Sequence, residues 1–410
     1  MKKLLLVLLI LSLFINHLNA NEKDLQIIQK DKKEYRLLDK ESIQTRQQSQ
    51  KYDWISPIDL SGNIGRNHSF SDENSRNLNN KNTKSASIGF TQSIFESGGI
   101  GFKMDYADNR FKYEMLSWEN QNSQLIYTIY NTLLDIKKLK LEINQNDYRI
   151  VNKDIELIIK KIQYEAGKTD IIELNNAIMS KNLIQKEEIA LKNSLKEKEQ
   201  ELAKYTDLKY DEIEILDFQE TNKEIFLDKN YSILEADAKV EMLNSEYKIK
   251  KSQYLPKLSL SAKASYLNKD EKFNSMISDT NKDDATSSGS LILSMPLYDY
   301  TKSSKIQESK IEVLKQKALV NDLKNETAFE YEQIFTKIDT YLKQNETINK
   351  NIKLYEELIG ANKISSEAGM TSKYDLEILE NTKTINEFDI LINKINILQQ
   401  YAKLYFKIKN

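Results

Sequence analysis

The chain has 410 residues, 30% of them charged, with a formal net charge of -2, ten glycines, three prolines and no cysteine, and a mean hydropathy of -0.61. This balance excludes a thick globular core and favours long helices with narrow apolar seams and wide solvated faces. It also excludes disulfides and a thiol nucleophile, argues against a nucleic-acid partner, and leaves no Cys or His cluster for a metal, since the two histidines are His17 and His68.

Lys2 and Lys3 precede an apolar run from Leu4 to Ile15 and then Asn16-His17-Leu18-Asn19-Ala20, so residues 1–20 read as a secretory signal peptide cleaved after Ala20. Without cysteine the mature N-terminus offers no acceptor for a lipid. No later stretch reaches the roughly 18 consecutive apolar residues that a membrane-spanning helix needs. Residues 24–52 are polar and free of breakers, which predicts a helix.

Two alternating segments follow, at about 57–67 and 85–95, separated by a polar loop from His68 to Lys84. Period-two alternation puts one residue set on each face of a strand. From Gly101 to Ala166 there is neither a further glycine nor a proline. Two heptad series run along this stretch: Ile129, Ile136, Ile143, Ile150, Leu157, Tyr164, and Tyr127, Leu134, Leu141, Tyr148, Ile155, Ile162. Their offset of two positions places them roughly 150° apart, so this helix should have a neighbour on each side. Gly167 ends it, and the hairpin 101–207 is completed by a return helix.

The pattern then repeats. A helix over about 229–254 leads to strands over about 256–267 and 288–298 and a second helical hairpin over 302–408. Gly369 in Ser366-Glu-Ala-Gly-Met repeats Gly167 in Tyr164-Glu-Ala-Gly-Lys. The chain thus divides into repeat 1 over 21–210 and repeat 2 over 211–410. In the second long helix one heptad series carries Ile306, Val313, Val320, Ile334, Tyr341, Ile348 and Tyr355, broken by Thr327. By length, each long helix matches two shorter ones set end to end: 169–207 with 229–253 in the first hairpin, and 371–407 with the N-terminal helix in the second. In the third strand Ser259, Ser261, Lys263 and Ser265 fall on one face, expected to line a lumen. Leu258, Leu260 and Ala262 fall on the other, expected to meet lipid or neighbours. Trp54 and Tyr266 are candidate anchors at a membrane interface.

A hairpin about 100 Å long cannot be buried by its own chain. Four strands cannot close into a barrel, yet a bilayer forbids open sheet edges. The resolution is an oligomer whose chains each contribute four strands to one barrel. This arrangement resembles the outer membrane efflux protein family, the TolC-like channels. The resemblance rests on Thr91-Gln-Ser-Ile-Phe-Glu-Ser-Gly-Gly99, Tyr254-Leu-Pro-Lys-Leu-Ser-Leu260, the paired turns Glu165-Ala-Gly-Lys168 and Glu367-Ala-Gly-Met370, and Tyr374-Asp-Leu-Glu-Ile-Leu-Glu380. It covers residues 24 to 408.

The resemblance implies a mainly α fold with β: long antiparallel coiled-coil hairpins plus four transmembrane strands per chain, internally duplicated. Three chains would form a 12-stranded barrel in the outer membrane over a 12-helix periplasmic tunnel. The implied partners are two further copies, outer-membrane lipid, a periplasmic adaptor (membrane fusion) protein and an inner-membrane pump. The implied function is a passive exit duct of a tripartite efflux pump or a type I secretion system. Gly167, Lys168, Gly369 and Met370 are the candidate helix-tip contacts with the adaptor. Asp375, with Tyr374 and Glu377, is the candidate constriction of the closed tunnel, although Ser372-x-x-Asp375 also fits a helix-capping box. Ile378 stands where the family has a second acidic residue. The rival expectations are a periplasmic adaptor and a coiled-coil structural protein. Neither catalysis nor a cofactor is expected, because carboxylates scattered along polar helices read as solvated faces.

Overall fold

The computed structural model describes residues 25–69, 79–216, 218, 220–270, 283–367 and 372–409. The expected signal peptide lies outside them. Seven helices and four strands are described: α1 (Lys30–Tyr52), β1 (Asp59–Ser69), β2 (Asn79–Phe95), α2 (Gly99–Glu165), α3 (Ile171–Leu202), α4 (Lys223–Asp228), α5 (Tyr231–Ser252), β3 (Lys257–Asp270), β4 (Asp283–Ser294), α6 (Lys302–Glu367) and α7 (Lys373–Phe406). The chain forms two compact units. One holds Glu41–Met115 and Glu235–Val320; the other holds the described residues up to Lys40 together with Leu116–Leu234 and Asn321–Asn410.

In the first unit the strands form one antiparallel sheet in the order β1-β2-β3-β4. Strand β2 begins at Asn79, earlier than the apolar alternation announces, because its polar start pairs residue for residue with β1 up to Ser69↔Asn79. A backbone ladder does not require apolar side chains. The sheet passes into α2 through a tight turn in which Ser97 and Gly98 have φ of 50° and 89°. The Ser97 hydroxyl donates to the Pro256 carbonyl at 2.7 Å, and Glu96 pairs with Lys103 at 2.9 Å. Gly99 is needed for space, since a Cβ there would lie 2.8 Å from the Ser252 hydroxyl oxygen. Helix α1 is held to α2 by Arg46–Glu114 at 2.9 Å and Lys51–Asp108 at 3.1 Å. On the other side α2 meets α5 through the Asn109 amide and the Ser245 hydroxyl at 2.9 Å. The Gln316 amide then ties α6 to α5 at the Ala236 carbonyl.

The second unit repeats this order along the same two long helices, with α3 and α7 in the places of α1 and α5. Asp135 of α2 takes the Lys198 ammonium of α3 at 3.2 Å and the Gln399 amide of α7 at 2.7 Å, one on each carboxylate oxygen. Further along, the Asn146 amide donates to the Ile184 carbonyl of α3, while the Gln145 amide donates to the Asp389 carboxylate of α7 at 2.7 Å. Helix α2 therefore has a neighbour on each side. Ile129, Leu134 and Ile136 are fully buried, and Tyr127 and Tyr148 of the second series meet Phe406 and Phe388 of α7. Helix α6 packs on the far side of α7, through Glu330 with Lys403 and Lys407 and through Asn345 with Asn393. Thr327, the apparent break in its heptad series, is only 6% exposed and holds its seam position.

The end-to-end pairing expected from length is corrected. The Gln29 amide donates to the Tyr205 carbonyl at 2.8 Å and the Lys30 amide to the Asp207 carboxylate at 3.0 Å. Helix α1 thus begins where α3 ends. Helix α5 begins where α7 ends, with Tyr231 N–H on the Lys407 carbonyl at 2.9 Å, Lys409 N–H on the Lys229 carbonyl at 2.8 Å and a bridge between Asn230 and Ile408. Length misleads because α1 and α5 have 23 and 22 residues, so either partner fits equally well. Packing around α2 decides instead.

The connector before α5 contains α4, which hydropathy periodicity does not announce. Asn222 caps it by accepting the Ile225 N–H at 2.8 Å, and Phe226 is buried against Ile334, Ile338, Leu404 and Ile408. Beside it Tyr130, Phe218, Tyr405 and Phe406 form an aromatic cluster with ring centroids 5.1–5.9 Å apart.

Candidate functional site

The sheet sorts most of its side chains by polarity between its two faces. Because facing residues in an antiparallel ladder share a face, the register places Leu60, Ala86, Ile88, Ala264, Tyr266 and Ala285 together. The opposite face is a ladder of hydroxyls: Ser61 with Ser87 at 2.8 Å, Thr91 with Ser261 at 3.1 Å, Ser93 with Ser259 at 3.3 Å and Ser265 with Thr286 at 2.7 Å. Ser259, Ser261, Lys263 and Ser265 share this polar face, and Leu258, Leu260 and Ala262 share the apolar one. Ile292, opposite Ser259, is an apolar residue on the polar face. Tyr266 is exposed on the apolar face. The Trp54 carbonyl accepts the Gln92 amide at 3.0 Å, which fixes the entry to β1.

Strands β1 and β4 are the sheet's edges. In the other unit, helices α3 and α6 also leave large apolar residues exposed. Leu183 of α3 is 66% exposed, and Phe329 and Ile364 of α6 are 65% and 73% exposed. Large apolar groups at helical spacing on an otherwise charged surface mark a face that another surface covers.

The first hairpin tip is closed by a Schellman turn. Gly167 has φ of 67°, its N–H donates to the Tyr164 carbonyl at 2.9 Å, and the Lys168 N–H reaches back to Gln163 at 2.8 Å. Nothing lies within 4 Å of where a Gly167 Cβ would be, so backbone conformation, not space, requires glycine. Asp170 starts α3 by accepting the Glu173 N–H at 2.9 Å, and Lys160 pairs with Glu173 across the turn at 3.0 Å. Lys168 is exposed, and Ile162, Tyr164, Ile171 and Ile172 leave apolar surface on the flanking helix ends.

At the second tip Gly369 and Met370 lie outside the described residues. Ser372 caps α7, its hydroxyl accepting the Tyr374 N–H at 3.2 Å, and Asp375 sits in the first turn, where a carboxylate favours the helix dipole. Tyr374, Asp375 and Glu377 are exposed. The structure therefore gives Ser372 its capping role and leaves the Asp375 carboxylate exposed. The three candidates are brought onto one exposed helix start.

A buried polar anchor escaped sequence reasoning. The Arg36 guanidinium of α1 donates to the Asn122 amide oxygen at 2.6 Å, the Gln121 amide oxygen at 2.9 Å and the Trp118 carbonyl at 2.9 Å. The Trp118 indole returns a bond to the Arg36 carbonyl at 2.8 Å. Burial pushes the Arg36 pKa down, against the opposing pull of Asp39. Asn122 in an apolar heptad tract was the only signal in the sequence.

The outer membrane efflux protein family model matches residues 224–403. The fold is similar to that of VceC from Vibrio cholerae, with 12% identity, a TM-score of 0.71, and coverage of 93% of this chain and 94% of that one. The Campylobacter jejuni CmeC outer membrane channel is 12% identical, with a TM-score of 0.69 over 92% of this chain and 84% of that one. The open-state Neisseria gonorrhoeae MtrE outer membrane channel is 11% identical, with a TM-score of 0.68 over 94% and 87%. No curated protein matches the sequence. At such identities the solved structures establish a shared fold, and the family model supplies the sequence relationship.

Proposed function

Because residues 224–403 match the outer membrane efflux protein family model, we propose that this chain is an outer-membrane exit duct, passive in itself. Three copies join β4 of one to β1 of the next, making a 12-stranded barrel whose hydroxyl face lines the lumen and whose apolar face meets lipid. The helices continue the tube in the periplasm. One observation carries this reading: a single sheet with two unpaired edge strands, in a chain whose helices also leave large apolar residues exposed. A bilayer tolerates no open edge, and identical copies satisfy both borders at once.

The tips at Gly167, Lys168, Gly369 and Met370 meet a periplasmic adaptor, which links the duct to an inner-membrane pump of an efflux or type I secretion system. Asp375, flanked by Tyr374 and Glu377, narrows the resting tunnel, and three such carboxylates favour cations and repel one another. Opening is an iris-like rearrangement of helices about the tips.

Detergent-purified mature protein tests the reading. Trimers by light scattering and discrete conductance steps in planar bilayers are expected. A monomer that remains soluble without detergent, or a trimer with no conductance, would overturn it.

A further inference from the structure

The hydroxyl face carries a charged row that the channel reading alone does not call for. Asp59 of β1 pairs with Gly89 of β2, Gly89 with Lys263 of β3, and Lys263 with Ser288 of β4. The four residues therefore lie in one line across the sheet and on one face. Gly89 explains how the lysine is seated. A Cβ at that position would come 3.0 Å from the Ala262 carbonyl and 3.3 Å from both Cβ and Cγ of Lys263. A glycine inside a strand commonly marks such a close approach, and here it leaves room for the lysine's aliphatic stem.

Asp59 lies two strand spacings away, roughly 9–10 Å. Among the described residues neither side chain is ion-paired, and both are exposed. They border a groove of about 420 Å³ whose lining includes the hydroxyls of Ser61, Ser87, Thr91 and Ser261. Two other described charges lie on this face: Asp284, four residues further along the β3–β4 ladder and about 13 Å away, and Lys257 at the start of β3, six residues and about 20 Å away.

We infer that Asp59, Gly89 and Lys263 form a charge-reading level of the duct, in which Lys263 draws passing anionic groups and Asp59 passing cationic ones. The inference rests on the exit-duct reading. In a closed trimer the row repeats three times at one height, giving fixed charges of alternating sign at a level flanked by hydroxyls. Fixed charges in a confined pore set which ions enter. Separate from the carboxylates at the helix starts, this level acts within the barrel.

Reversal potentials of single channels under a KCl gradient test it. Lys263→Glu should raise the cation-to-anion permeability ratio about threefold or more at 0.1 M salt, with the effect shrinking at 1 M as the Debye length falls from about 10 Å to 3 Å. Asp59→Asn should shift the ratio the opposite way. Since the chain has no cysteine, Lys263→Cys supplies a unique thiol. Its ratio should rise, and an aminoethyl methanethiosulfonate reagent, by restoring a positive charge, should return it towards wild type. Conducting variants with an unmoved reversal potential, or a thiol that reacts without effect on selectivity, would overturn the charge-reading level and leave the duct standing. Wild-type protein without conductance would instead remove the duct reading, and this inference with it.

Discussion

Helices α2 and α6 occupy equivalent places in the two repeats and have 67 and 66 residues, yet they are used differently. In the second unit α2 is held on two sides, with Asp135 alone touching both neighbours. Helix α6 has one buried seam, through Val313, Val320, Ile334 and Ile338, and turns Phe329, Leu342, Leu354 and Ile364 outward. A duplicated sequence thus yields an interior helix and a border helix. The apolar residues of α6 beyond its seam stay exposed on this chain, and under the proposed trimer a second copy covers them.

The largest expected effect breaks that comparison at its border. Phe329→Asp combined with Leu354→Asp should abolish trimers by light scattering while leaving helical circular dichroism unchanged; retained trimers would place the interface elsewhere. An interior substitution should do the reverse. Leu134→Ala is expected to cost about 2–5 kcal/mol of unfolding free energy in a denaturant titration, with the association state kept in native buffer. Replacing Arg36 by Met strands the Asn122 and Trp118 acceptors and should cost about 1–3 kcal/mol in the same titration. A smaller loss is expected at the tip, where Gly167→Ala forces a side chain into positive φ. It should destabilise by about 1 kcal/mol and increase hydrogen exchange near residues 164–170 without altering the far ends of α2 and α3.

The subtlest effect is a pH dependence at the α6–α7 seam. Burial tends to raise the Glu330 pKa, but hydrogen bonds and charge from Lys403 and Lys407 hold it below its ordinary value of 4.5. A carboxylate depressed on folding stabilises the native state fully above its unfolded pKa, and this contribution is lost as pH falls through the lower folded value. Melting temperature should therefore decline below about pH 4.5 more steeply in wild type than in Glu330→Gln. Parallel declines would show that Glu330 contributes nothing to the seam's acid sensitivity.

Much of this was legible in the residues. Heptad spacing gave α2 its two sides, alternation gave the strand faces, and Gly167 marked the first turn, since only its backbone freedom allows the positive φ found there. The swapped partners of α1 and α5 were not legible, because two helices of nearly equal length are interchangeable on paper. Helix α4 was hidden by its shortness, and one turn carries no period. Asp59 joined Lys263 only through the register of β1, β2 and β3, a relation between residues far apart in sequence. Of the candidate site, the capping role of Ser372 was readable from its spacing to the helix start. Gly369 and Met370 fall outside the described residues.

The residues alone determined the long helices, the apolar stretch of each strand and which face of each is apolar, because these depend on periods of 3.5 and two within a single segment. Only the tertiary structure decided which helix continues which, which of two matched long helices lies inside, and which charges share a row. Those outcomes depend on competition among distant surfaces of similar length and polarity, and local periodicity contains no term for that choice.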